Sequence, residues 1–501
     1  MTTIVVPGRS LPNLAAEREE CRYLWHPLVL SIVLVWLVPM GSSLGMDESG
    51  NWWVIKDGFQ TMLQRSRIWP NGTLFNAIVI LARSLGGDSD VVMRIPAVLA
   101  SLCGVYLLYR LGKKLFGPLA AALSCLIFVT MREVVDIAST VRPYSLAILL
   151  VIGAMLCLVN WLDTGRSRYA AGYVLLASLT LYATFLYAIM FLVHAAYASV
   201  RLRARESAVS GRALMAAWIA SGMLLIPLAS EVLTSFANRG RHTFLLTPGV
   251  SAVLQSVYPP LLAGATGLTL LLALVFRRPL GFSTIPSSTE AWLVAIWAIA
   301  PPGILLALAL TTDLQLFTGR YYLENAPGVA LAGGMLLSRL EPAFMRRFVA
   351  LTMATCAVLL YGINEHFMRG VDDYRGAVAT VREHVGDSRT PVMVVTGFIE
   401  GQNLSGVLDP ALSDVLFSPV SRYRMPGKLV GLPWTLDRDA EDYMEHLMVT
   451  TLQNSPRFVF VGPSTSDFFR WLERHCGILG FADRHYGHYG GIDVFLFERS
   501  P

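Results

Sequence analysis

Charge is scarce in this chain. Only 15% of its 501 residues are Asp, Glu, Lys or Arg, while 54% are hydrophobic and the mean hydropathy is +0.53. Soluble domains carry roughly 25% charged residues, so an ordinary water-soluble protein is excluded. Cysteine is thin as well. Of six residues, Cys103, Cys125, Cys157 and Cys356 lie in apolar segments, Cys21 precedes the first of these, and Cys476 stands alone near the end. Neither a disulfide framework nor a cysteine metal cluster fits that distribution. The net charge of +5 does not suggest nucleic acid as a partner. The last third of the chain lacks a glycine-rich phosphate fingerprint, a nucleophile elbow and a paired-cysteine motif, so it is assigned no chemistry.

What is abundant is apolar sequence in long runs. They recur from Leu28 to about Gly362, each near the roughly 20 residues that a helix needs to cross a bilayer. Arg9, Arg18 and Arg22 precede the first run, which places residues 1–27 on the cytoplasmic side. Leu28–Gly45 is expected to remain as an anchor rather than to be cleaved as a signal peptide. Basic clusters at Arg110, Lys113 and Lys114, at Arg166 and Arg168, at Arg201 to Arg212, at Arg277 and Arg278, and at Arg339 to Arg347 mark further cytoplasmic turns. Parity among them requires two short helices within Tyr169–Val200, turning near Tyr182 to Tyr187. About eleven spans result, with the C-terminus outside. The expected division is a cytoplasmic segment 1–27, a transmembrane module 28–363 with a first external loop 47–90, and an external soluble domain 364–501.

One face collects unusual polarity. Asp47 and Glu48 stand where the first span meets a loop containing Trp52, Trp53 and Lys56. Acids at a bilayer surface are costly unless paired or working. Arg94, Arg132, Glu133, Asp136, Arg142, Arg239, Arg241 and Arg320 also fall at external ends of spans. A single external arginine is accounted for by snorkelling to lipid phosphates. The collection, acids among arginines, is suited to a polar cavity for an anionic group.

The C-terminal part is expected to be a small α/β domain with a partly parallel sheet. A helix through His384, apolar strand-length runs at Val392–Val395 and Phe458–Val461, a helix near Phe468–Leu479 and a last strand at Asp493–Phe497 alternate along it. His475, His485 and His488 are taken as surface histidines rather than metal ligands.

Several motifs occur together in order. They are Asp47-Glu48, Arg94-Ile95-Pro96-Ala97 followed by Tyr109-Arg110-Leu111-Gly112, Ser139-Thr140-Val141-Arg142-Pro143-Tyr144, Thr318-Gly319-Arg320-Tyr321-Tyr322 with Pro327-Gly328, and Asp373-Tyr374-Arg375-Gly376. With these the chain resembles the PMT-like glycosyltransferases of the GT-C superfamily, which includes protein O-mannosyltransferases and the lipid A aminoarabinose transferase. One departure is that Trp69-Pro70-Asn71-Gly72-Thr73-Leu74 stands where many relatives carry His-Pro-Pro-Leu, which leaves open the role of that histidine and the nature of the acceptor.

The resemblance implies an α-helical polytopic membrane enzyme in a bacterial inner membrane. It would transfer a hexosyl or pentosyl group from a polyprenyl-phosphate donor to a glycolipid, a cell-envelope glycan or a protein, with inversion. Asp47 is the candidate general base, and Glu48 would hold the acceptor or orient a neighbour. Arg320 and Arg142, with Arg94 and Lys56 behind them, would bind the donor phosphate, and Tyr144 and Tyr321 could hydrogen-bond it. No cofactor is required, because phosphate is already a good leaving group; a divalent ion, used by some relatives elsewhere in the superfamily, could draw on Asp47 and Glu48. The alternatives are a multi-pass transporter or lipid flippase, which should show internal repeats and mid-membrane charge, and an anchored binding protein, for which eleven spans are excessive.

Overall fold

The computed structural model describes residues 11–66, 72–237, 248–277, 281–282, 288–312, 316–364, 372–386 and 389–499. The Arg239 and Arg241 loop, Arg278 and the Trp69-Pro70-Asn71 departure lie outside the described residues. Contacts divide the chain into two units. The first comprises residues 1–40, 70–78 and 94–363, and the second comprises 41–69, 79–93 and 364–501. Much of the expected first external loop therefore clusters with the C-terminal segment.

The first unit is helical. Six helices among the described residues are long and apolar enough to cross a membrane, or up to nine if each bent pair is one span. About eleven were expected. Two of the expected spans correspond to Ser167–Ala183, of 17 residues, and Ala326–Leu337, of 12, both short of a bilayer crossing by that measure. Three expected single spans are instead bent pairs. Pro118–Thr130 and Arg132–Ala138 meet at 70°, where Met131 is extended at φ −67°, ψ 130°. Gly211–Leu224 and Ile226–Thr234 meet at 43°, and Val250–Val257 and Pro260–Val275 at 82°. Pro227 and the Pro259-Pro260 pair explain these two breaks, since proline lacks an N–H and disfavours helix in the residue before it. The expected turn near Tyr182–Tyr187 is a 3₁₀ segment, Phe185–Ile189, after an extended Thr184.

Outward-facing leucines and isoleucines such as Leu99, Ile219, Leu271 and Ile299 suit a lipid environment, and with the apolar spans they make the chain a multi-pass membrane protein. Inside, Ala326–Leu337 is buried almost throughout. Small residues permit its close approach to neighbours. A methyl group added at Gly328 would lie 2.8 Å from the Ala298 nitrogen and from Trp297, and one at Gly334 would lie 2.5 Å from the Ala120 carbonyl. Hydrogen bonds tie the turn before it to neighbouring segments: Trp297 Nε1 donates to the Glu324 carbonyl at 2.7 Å, and Asn325 Nδ2 donates to Ser256 O at 2.7 Å and Ala298 O at 3.0 Å.

The second unit contains a five-stranded mixed sheet. Numbered along the chain, β1 is Pro391–Val395, β2 Lys428–Leu432, β3 Arg457–Gly462, β4 Phe481–Tyr489 and β5 Ile492–Arg499, in spatial order β2-β1-β3-β5-β4. β1 pairs in parallel with β2 and β3, while β5 runs antiparallel to β3 and β4. Helices cover both faces, as the continuous apolar runs of the central strands require. Tyr374–Val385 packs one face with Val392, Val394, Val459 and Val461. Asp467–Ile478 and Arg438–Leu447 pack the other with Met393, Phe458 and Phe460. Side-chain caps start these helices: Asp373, Asp437 and Ser466 accept from Gly376, Ala440 and Phe469 N–H.

Asp493 opens β5. Burial pushes its carboxyl up, but hydrogen bonds from Ser464 N–H at 3.0 Å, His488 at 2.9 Å and His485 at 3.2 Å bring it below the usual carboxylate range. A lowered folded value means stability that is present above the unfolded pKa, near 3.9, and lost as pH falls through the folded one. Asp493→Asn should lower the melting temperature of the purified chain at pH 7, with the difference from wild type closing toward pH 3. Gly328→Ala should cost about 1–3 kcal/mol, because a backbone nitrogen stands in the way and cannot yield; thermal melting in detergent reads it.

Candidate active site

Helix Met46–Ile55 carries the acidic pair. It begins after Gly45, which is extended at φ −68°, ψ 172°. Glu48 Oε2 accepts the Gly45 N–H at 2.9 Å, the return bond of a capping box, which satisfies an N–H that the first turn leaves without a helical partner. Glu48 is 6% exposed, whereas Asp47, one residue earlier, is half-buried. Both acids benefit from the partial positive charge of a helix N-terminus. One of the two is thus committed to the architecture of the helix. Lys56 follows the last turn, its Nζ 5.5 Å from the Trp52 ring centroid.

Within the same unit this helix is held at both ends. Before it, Leu44 N–H donates to Tyr423 Oη at 2.7 Å, and Ser43 Oγ donates to the same oxygen at 3.3 Å. Tyr423 Oη in turn donates to Asp90 Oδ2 at 2.7 Å. After it, the Ile55 carbonyl accepts from Arg83 Nη1 at 2.8 Å, and Arg83 Nε bonds Asp88 at 2.6 Å. Arg422 joins the two ends, reaching Asp88 Oδ2 at 2.6 Å and Asp90 Oδ1 at 2.9 Å. Its guanidinium carbon stands 5.3 Å from the Trp52 centroid. Arg375 also pairs with Asp90 and donates to the Gly41 and Ser42 carbonyls at 3.1 and 3.2 Å.

Asp90 is the centre of this network. Its side chain is 5% exposed, and its two oxygens accept from Arg422, Arg375 and Tyr423. A carboxylate can be buried on those terms because every lone-pair direction finds a donor. Burial, reinforced by the Asp90 carboxylate, pushes the Tyr423 phenol up to about 12, so it remains a proton donor. None of Asp90, Arg422 and Tyr423 stands out in the sequence. Arg375 does, within Asp373-Tyr374-Arg375, and here it bonds the turn ahead of the acidic helix.

The other sequence-derived candidates belong to the first unit. Arg142 Nη2 donates to Tyr144 Oη at 3.3 Å and stacks over that ring at 5.4 Å. Tyr144 lies 6.4 Å, centroid to centroid, from the buried Tyr187. Tyr187 Oη donates to the Arg320 carbonyl at 3.4 Å. Arg320 stands 5.3 Å over Tyr321, and the Glu133 side chain lies 3.4 Å from where a methyl group on Gly319 would sit. Two Arg–Tyr pairs, Arg142 with Tyr144 and Arg320 with Tyr321, are therefore connected through Tyr187, which reaches the backbone of Arg320. Arg94 is elsewhere in that unit, 2% exposed, its Nη1 donating to the Met40 carbonyl at 2.8 Å. Among the described residues, no group of three or more His, Cys, Asp or Glu side chains forms a metal-ligand set.

The capping role of Glu48 is open to test. Glu48→Gln keeps the acceptor for Gly45 N–H and should leave amide protection at residues 45–49 near wild type. Glu48→Ala should weaken the helix start by about 1 kcal/mol, seen as faster hydrogen exchange there.

Residues 71–233 match the family model described as dolichyl-phosphate-mannose-protein mannosyltransferase. Among curated proteins, none matches the sequence. The fold is similar to that of ArnT from Cupriavidus metallidurans in the apo state, with TM-score 0.56 and 13% identity over 94% of this chain and 97% of that one. It is similar also to the same protein bound to undecaprenyl phosphate, with TM-score 0.54 and 12% identity over 95% and 98%. The family match thus spans residues 71–233, and over nearly the whole chain the fold is similar to that of ArnT.

Proposed function

We propose that this membrane glycosyltransferase moves a hexosyl or pentosyl group from a polyprenyl-phosphate donor to an extracytoplasmic acceptor, with Asp47 as general base. The observation that carries the assignment is the division of labour in the acidic pair. Glu48 is buried and spent on the helix cap, while Asp47 keeps partial exposure on the first turn. The family match to enzymes named for a dolichyl-phosphate donor, and the likeness to an ArnT structure holding undecaprenyl phosphate, favour a polyprenyl phosphate as the lipid.

In this reading an Asp47 carboxylate oxygen accepts the proton of the acceptor hydroxyl as that oxygen attacks the anomeric carbon. The bond from that carbon to the phosphate oxygen breaks on the opposite side, so the sugar inverts. The lipid phosphate leaves as an anion, and fixed guanidiniums stabilise the charge it acquires. Arg320 and Arg142, each beside a tyrosine, are assigned that task, with Tyr144 and Tyr321 as further hydrogen-bond partners. Arg94 and Lys56 are assigned secondary roles, because Arg94 is buried against the Met40 carbonyl and Lys56 lies over Trp52. No cofactor is assigned. The cytoplasmic N-terminus, the bacterial inner membrane and the external position of the soluble domain belong to the same proposal.

Asp47→Asn, expressed in cells lacking the native gene, should reduce the transferred sugar by at least about a hundredfold, the scale of a lost general base. Mass spectrometry of envelope glycans, glycolipids and proteins reads the product and names the acceptor. Arg320→Ala should lower turnover or raise the KM for the lipid donor; unchanged transfer in either variant refutes that residue's role.

A further inference from the structure

The soluble sheet domain carries no catalytic motif, yet it supplies the residues that fix the acidic helix. We propose that Tyr423 is a positioning residue for Asp47, acting through the backbone of Ser43–Gly45. The inference deepens the reading of Asp47 as the base and rests on it for its functional half.

Residues 42–45 lead from the 3₁₀ turn Val38–Gly41 into the acidic helix without regular structure of their own. A helix can start in many registers, and its first-turn side chains rotate with the entry angle. Here the entry is set by one hydroxyl. Tyr423 Oη accepts the Leu44 N–H at 2.7 Å and the Ser43 hydroxyl at 3.3 Å. Its own proton goes to Asp90 Oδ2, so the oxygen has a defined orientation rather than a free rotor. Arg375 fixes the preceding turn from the same side: its backbone N–H donates to Ser43 Oγ at 3.2 Å, and its guanidinium reaches the Gly41 and Ser42 carbonyls. Met46, the residue beside Asp47, packs so closely on Gly397 that a methyl group there would collide with its sulfur. Trp52, one and a half turns further on, lies under Arg422. The helix is therefore docked along its length to residues from 375, 397 and 422–423, all within the second unit.

A catalytic base must sit within hydrogen-bond reach of the proton it takes, and a shift of an ångström or less costs turnover steeply. The Tyr423 phenol is placed to hold that position without touching substrate. Loss of its oxygen leaves the Leu44 N–H without its acceptor and removes one of the donors on Asp90, while Arg422 and Arg375 still neutralise that carboxylate.

Tyr423→Phe in the full-length chain, compared with wild type and with Ser466→Ala, tests this. Ser466 caps a helix of the same domain away from the network, so it controls for general loosening. Hydrogen exchange is read at amides 44–49 and at β3, and transferred sugar is read in the deletion background. The expected result is exchange about tenfold faster at 44–49 in Tyr423→Phe, unchanged β3 protection, and product formation lowered about tenfold, with neither effect in Ser466→Ala. Unchanged exchange at 44–49 overturns the proposal, as does equal loosening by Ser466→Ala. Faster exchange with full product also overturns it if Asp47→Asn abolishes transfer. If Asp47→Asn itself keeps full transfer, the assigned base fails instead, and the exchange data alone decide whether Tyr423 holds the segment. Should Tyr423→Phe fail to fold, Ser43→Ala, which removes the Ser43 ties to Tyr423 and Arg375 while keeping the Tyr423 hydroxyl, must loosen amides 44–49, or the proposal falls.

Discussion

A carboxylate cannot stay buried unless its charge is answered, and Asp90 is answered by two guanidiniums and a phenol. That requirement ties three stretches of chain together. Residues 41–55 bring the acidic helix, residues 83–90 bring Arg83, Asp88 and Asp90, and residues 375–423 bring the cations and the tyrosine. Losing both guanidiniums would leave the buried charge uncompensated, typically a loss of about 3–5 kcal/mol. The arrangement is thus self-enforcing: a loop that failed to dock would strand Asp90 away from water without its counter-ions. A segment that would otherwise be an irregular connection between apolar helices acquires a fixed geometry.

The helical unit obeys a different constraint. Without water, each backbone N–H and C=O must be satisfied internally, so apolar segments become helices. The breaks differ in their surroundings: Leu224 and Ile226 beside Pro227, and Leu254 and Tyr258 before Pro259-Pro260, are exposed apolar side chains, whereas polar groups accompany the extended residues Met131 and Thr184. Glu133 follows the first break, and Tyr187, beside the extended Thr184, bonds the segment bearing Arg320. Breaks in helices free backbone groups and let short polar segments turn back into the protein. Ala326–Leu337 shows the complementary device, in which glycines replace side chains so that backbones can meet.

Much of this was legible from local pattern. Apolar run length announced the membrane class, and the helices expected from charge parity lie close to those observed, although bent pairs and two short helices leave six to nine candidate spans among the described residues. β1, β3 and β5 were readable because buried strands form continuous runs of Val and Phe. β2 and β4 were not. Lys428–Leu432 is short and interrupted by Gly431, and Phe481–Tyr489 is an edge strand whose outward residues, Arg484 and His485 among them, mask any alternation. In the candidate site, Arg142, Tyr144, Arg320 and Tyr321 were named from motifs, and the structure adds Tyr187, which lies by the Tyr144 ring and bonds the Arg320 carbonyl. Glu48 was read as a functional partner of Asp47, and its carboxylate closes the turn at Gly45.

The sequence by itself determined the class of protein, the helical segments and the residue types available for phosphate and proton chemistry. Each depends on neighbours within a few turns, through hydrophobicity and backbone satisfaction. Only the tertiary structure decided which charges are spent on architecture. Asp90 meets Arg422 across 332 positions and Leu44 meets Tyr423 across 379, separations over which no periodicity or motif carries information. Those pairings follow from packing of the whole second unit, because a charge chooses its partner by distance and dielectric surroundings, and both exist only once the chain has folded.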